Sequence, residues 1–188
     1  MNHLSRVFIS LLIVLCGAGH VHAAEKMKEW NFLVFINGKN SLDSFGPMNI
    51  NQMEQVGSND NMNIIVEWGS TRNPGVKRLL VQKDNNTSDV TSPVVQNLGN
   101  VDMGDYKELV RFVDWANQNY PAKKYFIVVW NHGNGWHFTG ANNNGAPTIQ
   151  DISYDDQTGN KITTEQLDRK STRLNSSHTD ISRMPSSA

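Results

Sequence analysis

The chain has 188 residues, 38% of them hydrophobic, with 17 Lys and Arg against 18 Asp and Glu. That length suits one domain, and a near-neutral balance with no basic stripe excludes nucleic acid as an expected partner. The single cysteine, Cys16, excludes a disulfide framework.

The first element in the chain is a leader. His3 and Arg6 make a basic start, residues 7–15 are apolar, and Val21-His22-Ala23 sets small apolar groups at the −3 and −1 positions of a cleavage site. This pattern predicts a Sec-type signal peptide over residues 1–23, cleaved after Ala23, and hence a secreted or periplasmic protein with no membrane anchor after cleavage. The apolar stretch is too short to span a bilayer, and Leu15 stands where a lipid-anchor cysteine wants a small neighbour. Cleavage would remove Cys16, leaving residues 24–167 with no thiol, 12 Lys and Arg, 16 Asp and Glu, and two histidines, His132 and His137.

Residues 31–36 form a continuous apolar run that Asn37-Gly38 breaks, which predicts a strand buried on both faces. Ile50, Met53 and Val56 recur every three residues ahead of Gly57, predicting a short helix with a glycine stop. Residues 63–67 read as a second strand. Asn73-Pro74-Gly75 is a turn, residues 78–81 a third, peripheral strand, and residues 84–92 a polar loop. Asp105-Tyr106-Lys107-Glu108 resembles a capping box opening a helix whose apolar face is Leu109, Val113, Ala116 and Tyr120, ended by Pro121. A strand over residues 125–130 comes next, then a long Asn- and Gly-rich loop over residues 131–145. This alternation predicts an α/β domain with a largely parallel sheet.

Thr163-Thr164-Glu165-Gln166 is a capping box, so a helix should open there. The residues beyond it have no apolar period and read plainly as a solvated tail. A sharper reading exists: residues 168–178 back-translate codon by codon to a common short-read sequencing adapter. Residues 182–188 fit it again in frame after a gap suited to an index. Residues 168–188 are therefore expected to be non-native read-through, an idea that genomic DNA encoding this tail would end.

The run before Asn131-His132-Gly133 delivers His132 just past a central-looking strand, at the rim where open α/β sheets bind ligands. Gly133 lets its backbone N–H approach a ligand closely. A histidine base beside an open N–H is half of an acyl-transfer site, still lacking a nucleophile. Two alternatives stay open: His132 caps the strand and bonds a loop carbonyl, or it pairs with His137 on a metal, although no carboxylate or cysteine stands nearby in sequence. Trp136 would wall such a cleft or sit half-buried in its loop. Asp155-Asp156 with Thr158-Gly159 marks a polar loop, where calcium binding is conceivable although EF-hand spacing is absent.

Four ordered segments resemble the amino-terminal half of a clostripain-like cysteine peptidase: WNFLVFINGKNSLD, INQMEQVGS, VDMGDYKELVRFVDWANQNYPAKKYFIVVWNHGNGW and ISYDDQTGNKITTEQL. The resemblance covers about residues 30–167. It implies a caspase/hemoglobinase-like α/β fold, a mostly parallel sheet flanked by helices. It implies a His–Cys dyad, with His132 as the histidine by position and Gly133 supplying one oxyanion N–H. It implies protein or peptide substrates cleaved after basic residues, often arginine. No cofactor is required for the chemistry, while help from calcium and internal maturation are implied only for the class. The departure is that no cysteine exists beyond Cys16. The cysteine-bearing strand is expected about 25 residues past Leu167, by ordinary element lengths, together with the acidic residue that reads a basic side chain. Residues 24–167 are thus expected to be a peptidase domain truncated before that strand, inactive as written, folding poorly alone, with an apolar sheet edge exposed. No third catalytic member is identifiable; Asn131 is adjacent to His132 only in sequence. The runner-up is a secreted non-catalytic α/β binding domain, and a third reading is a metal-dependent hydrolase using His132 and His137.

Overall fold

The run expected to be buried on both faces forms β1 (Lys28–Gly38), the second-to-last strand of a five-stranded sheet ordered β4-β3-β2-β1-β5. The computed structural model describes residues 27–72, 75–132 and 151–168. The expectations for the leader and for the tail beyond residue 168 lie outside them. β2 (Met62–Ser70) and β5 (Ala122–Trp130) run parallel to β1 on either side. β3 (Val76–Leu80) and β4 (Val94–Gly99) extend the sheet antiparallel beyond β2. The expected α/β class holds, with a parallel part confined to β2-β1-β5. Parallel neighbours need long crossovers; α1 (Phe45–Glu54) lies between β1 and β2, and α2 (Tyr106–Asn119) between β4 and β5.

Alternation along β1 sends successive side chains to opposite faces. Leu33 and Phe35 join Ile65 and the α2 residues Leu109, Phe112, Val113 and Ala116 in one core. Val34 and Ile36 join Ile64, Val66, Trp68 and the α1 residue Ile50 in the other. The two helices therefore cover opposite faces, and residues 33–36 of β1 are apolar without a break because neither face meets water there.

Three sequence expectations are corrected, and one strand is unexpected. The strand expected to be peripheral is interior: β3 lies between β2 and β4, and Val76 and Leu79 are buried. The outermost strand is β4, which no sequence pattern announces because its alternation is weak and most of it is exposed. α1 ends at Glu54, so Val56 lies beyond it and is 56% exposed. Gly57 does end the helix, with φ +67 and its N–H donating to Met53 O at 2.8 Å. At α2, Asp105 caps by accepting from Lys107 N at 2.9 Å, but Glu108 does not reach back to complete a box. Instead Glu108 is buried, accepting from Arg78 Nη2 at 3.3 Å and Arg111 Nε at 2.8 Å.

Arg78, opposite Glu67 in the β2–β3 register, explains that choice. Its Nε donates to Glu67 Oε2 at 2.6 Å, and its guanidinium lies 4.7 Å from the Trp115 ring centre and 5.6 Å from that of Phe112. Burial pushes the Glu67 carboxyl up to about 8; Arg78 opposes this, and the nearby Glu108 adds to it.

Candidate active site

Ile36 stands opposite Trp130, so β1 and β5 leave the sheet side by side at one rim. Beyond β1 the chain turns through Lys39, Asn40 and Ser41 toward α1. Beyond β5 it reaches Asn131 and His132. A hairpin of β6 (Asp151–Asp155) and β7 (Asn160–Thr163) packs against the same rim.

Three asparagine side chains converge on one hairpin carbonyl. Asn37, Asn40 and Asn131 each donate through Nδ2 to Tyr154 O, at 3.0, 2.8 and 3.3 Å. Asn37 also donates to Ser153 Oγ at 2.9 Å, and Asn131 to Asn37 O at 2.8 Å. Short amides suit this place because each carries two donors and an acceptor on a side chain with little freedom to lose. Asn131 thus ties β5 to the β1 loop and the hairpin rather than touching the His132 ring.

Two buried charged groups fix the hairpin. Lys39, only 1% exposed, donates from Nζ to Asn100 Oδ1 at 3.0 Å and to Val101 O, and lies 3.7 Å from Asp155 Oδ2. Asp155 accepts from the N–H groups of Met103 at 3.0 Å, Gln157 at 2.9 Å and Thr158 at 3.3 Å. Its oxygens are therefore committed to the turn. Burial pushes the Asp102 carboxyl up, but Asn160, Thr158, the Gly104 N–H and the Lys39 charge together hold it below the usual range. Asp43 behaves alike: burial raises it, yet hydrogen bonds from Ser70, Thr71 and Arg72 bring it below the usual range. Asp43 thereby holds the far end of the β1–α1 loop to the end of β2.

Held on this frame, Ser41 Oγ lies 2.8 Å from His132 Nε2, and both residues are exposed. The loop whose carbonyl is the alternative partner for His132 lies outside the described residues. Gly133, Trp136 and His137, named for the oxyanion, the cleft wall and a metal pair, lie outside the described residues. Among the described residues no group of three or more His, Cys, Asp or Glu side chains could hold a metal ion, and no helix is long and apolar enough to cross a membrane. Ser41 is the site residue that sequence reasoning missed. It is one serine in a loop, 91 positions from its partner, and nothing local marks it. The expected capping box near the hairpin is present: Thr163 N donates to Gln166 Oε1 at 3.0 Å, and Gln166 N to Thr163 Oγ1 at 3.2 Å.

The model of the Clostripain family, Peptidase_C11, matches residues 34–182 of the chain. No curated protein matches it. Seven solved chains do. One is a secreted C11 cysteine protease from Bacteroides thetaiotaomicron in complex with an irreversible peptide inhibitor: 25% identical, TM-score 0.56, covering 76% of this chain and 38% of that one. A clostripain from Bacteroides thetaiotaomicron ATCC 29148, bound to the peptide inhibitor BTN-VLTK-AOMK, is 17% identical with TM-score 0.50, covering 61% of this chain and 99% of that one. A B. fragilis cysteine protease is 24% identical with TM-score 0.49, covering 61% and 97%.

Proposed function

The chain belongs to the clostripain family of cysteine peptidases, and we propose that it is the amino-terminal part of a secreted endopeptidase in which His132 transfers the proton. The observation that supports this is the position of His132: past the end of a parallel strand, on a loop frame tied by the Tyr154 carbonyl, with its Nε2 engaged by Ser41. A secreted relative in the same family supports export.

In the proposed reaction a cysteine thiolate from the native sequence beyond Leu167 attacks the scissile carbonyl carbon, forming the C–S bond. Backbone N–H groups, Gly133 among them, hold the oxyanion. The C–N bond then breaks as His132 gives its proton to the leaving amine, and water hydrolyses the thioester with His132 as base. No cofactor enters these steps. Protein or peptide substrates are cut after arginine or lysine. Cys16 is the one thiol in the 188 residues and falls in the leader, so the chain as it stands is inactive. The β5 edge agrees with a further strand being required: among the described residues nothing pairs with it, and Phe126 is 43% exposed.

Expression from the intact gene tests the reading. Cleavage after Arg or Lys, blocked by thiol alkylation and reduced about 10²- to 10⁴-fold in His132→Ala, is the expected result. Full activity in that variant would remove His132 from its role. An intact frame with no thiol after the next strand would favour the non-catalytic binding domain instead, a reading that the missing cysteine keeps in view.

A further inference from the structure

We propose that Ser41 is a positioning residue for His132, accepting a hydrogen bond from Nε2–H and so making Nδ1 the nitrogen that exchanges protons with thiol and substrate. The inference rests on His132 being the proton-transfer residue.

The geometry that points there is the 2.8 Å approach of Ser41 Oγ to His132 Nε2. A hydroxyl can donate or accept. A hydroxyl that accepts from Nε2–H keeps that one role whether the ring is neutral or carries a second proton as imidazolium, whereas one that donates to a bare Nε2 would have to turn round at each transfer. Ser41 is exposed, so its own O–H can donate to water. Nε2 is then held in one role, and Nδ1 alternates between lone pair and N–H.

A single contact between two exposed side chains would mean little if either loop drifted. Here both ends are fixed. On one side of Ser41, Asn40 donates to Tyr154 O at 2.8 Å and accepts from Leu42 N at 2.9 Å. On the other, Asp43 N donates to Asn40 O at 3.1 Å, while the Asp43 carboxylate accepts from Ser70 Oγ at 2.6 Å and Arg72 Nε at 3.0 Å. Beside His132, Asn131 donates to Asn37 O and to Tyr154 O. One carbonyl therefore sets the spacing of both partners. The loop does not need the Ser41 hydroxyl to keep its shape, so losing that hydroxyl should free the ring and little else.

The test uses the product of the intact gene, whichever codons lie beyond Leu167, with ¹⁵N-labelled histidine and the His132 signals assigned by His132→Gln. The neutral ring should show Nε2 protonated and Nδ1 bare. Ser41→Ala should average the two tautomers, and Ser41→Thr, which keeps the oxygen, should restore the fixed one. In peptidase assays Ser41→Ala should lower kcat about 10- to 100-fold with KM within about twofold, and Ser41→Thr should recover most of it. Circular dichroism checks the fold. Should Ser41→Ala not fold, Ser41→Cys, whose sulfur is a weak acceptor, carries the comparison with threonine. An unchanged tautomer ratio in the Ala or Cys variant, or a bare Nε2 in the parent, overturns the proposal. If Ser41→Ala is neutral while His132→Ala is inactive, this inference alone fails. If His132→Ala stays active, the assignment of the base fails, whatever the ring shows.

Discussion

β1 and β5 lie side by side in parallel, one built around Phe32-Leu33-Val34-Phe35-Ile36 and the other around Phe126-Ile127-Val128-Val129-Trp130. By sequence they are nearly the same object. In the fold they are not. Leu33, Phe35 and Ile36 are wholly buried, whereas β5 is only partly covered and Phe126 is 43% exposed. β1 has a strand on each side and a helix on each face; β5 has, among the described residues, one neighbour. An apolar run states what a strand can bury, and its neighbours decide how much of that is realised.

The contrast breaks most sharply at the charged pair inside the sheet. Above about pH 8, where Glu67 is ionised, Arg78→Met should lose about 3–5 kcal/mol in urea unfolding, because the Glu67 charge would stay buried without its cation while Glu108 keeps only Arg111. Phe35→Ala in β1 should cost about 3–4 kcal/mol by the same measurement, through lost burial and the cavity left between the sheet and Phe112. At the rim, Lys39→Met should cost about 2 kcal/mol and raise amide exchange in the hairpin, since Asp155 keeps its backbone donors but loses its cation. In the 188-residue chain Phe126→Ala on the open edge should cost under about 1 kcal/mol, as a half-exposed ring gives up less. A cost for Phe126 equal to that for Phe35 would mean that β5 is covered after all.

Titration sharpens the same contrast. The Glu67 carboxyl moves from an ordinary 4.5 up to about 8 in the fold. The folded state therefore holds a proton that the unfolded chain releases. That stability is complete below about pH 4.5 and is lost as pH rises through about 8. Urea midpoints across this window should fall with pH, and Glu67→Gln should flatten the dependence. A rising midpoint in the parent would contradict the shift.

Much of the fold is legible in the chain. The apolar run of β1, the glycine stop after α1, the Asp105 cap and the Thr163–Gln166 box are local patterns, and each is found where expected. The departures share a cause. β3 reads as marginal and β4 escapes notice because sheet order is a matter of long-range pairing. Glu108 looks like half of a capping box until Arg78, 30 residues away, offers it a stronger partner. At the site, His132 is visible because glycine and asparagine end an apolar strand beside it. Ser41 is not, since an ordinary loop serine gains meaning only from what faces it.

The sequence by itself determined which segments are apolar, where helices open and close, and which histidine stands past a buried strand, because these come from periodicity and from backbone donors that need caps. Only the tertiary structure decided which strand is interior, which carboxylate shares an arginine, and which hydroxyl meets the His132 ring. Those outcomes depend on distances between residues far apart in the chain, and such distances exist only once the chain has closed on itself.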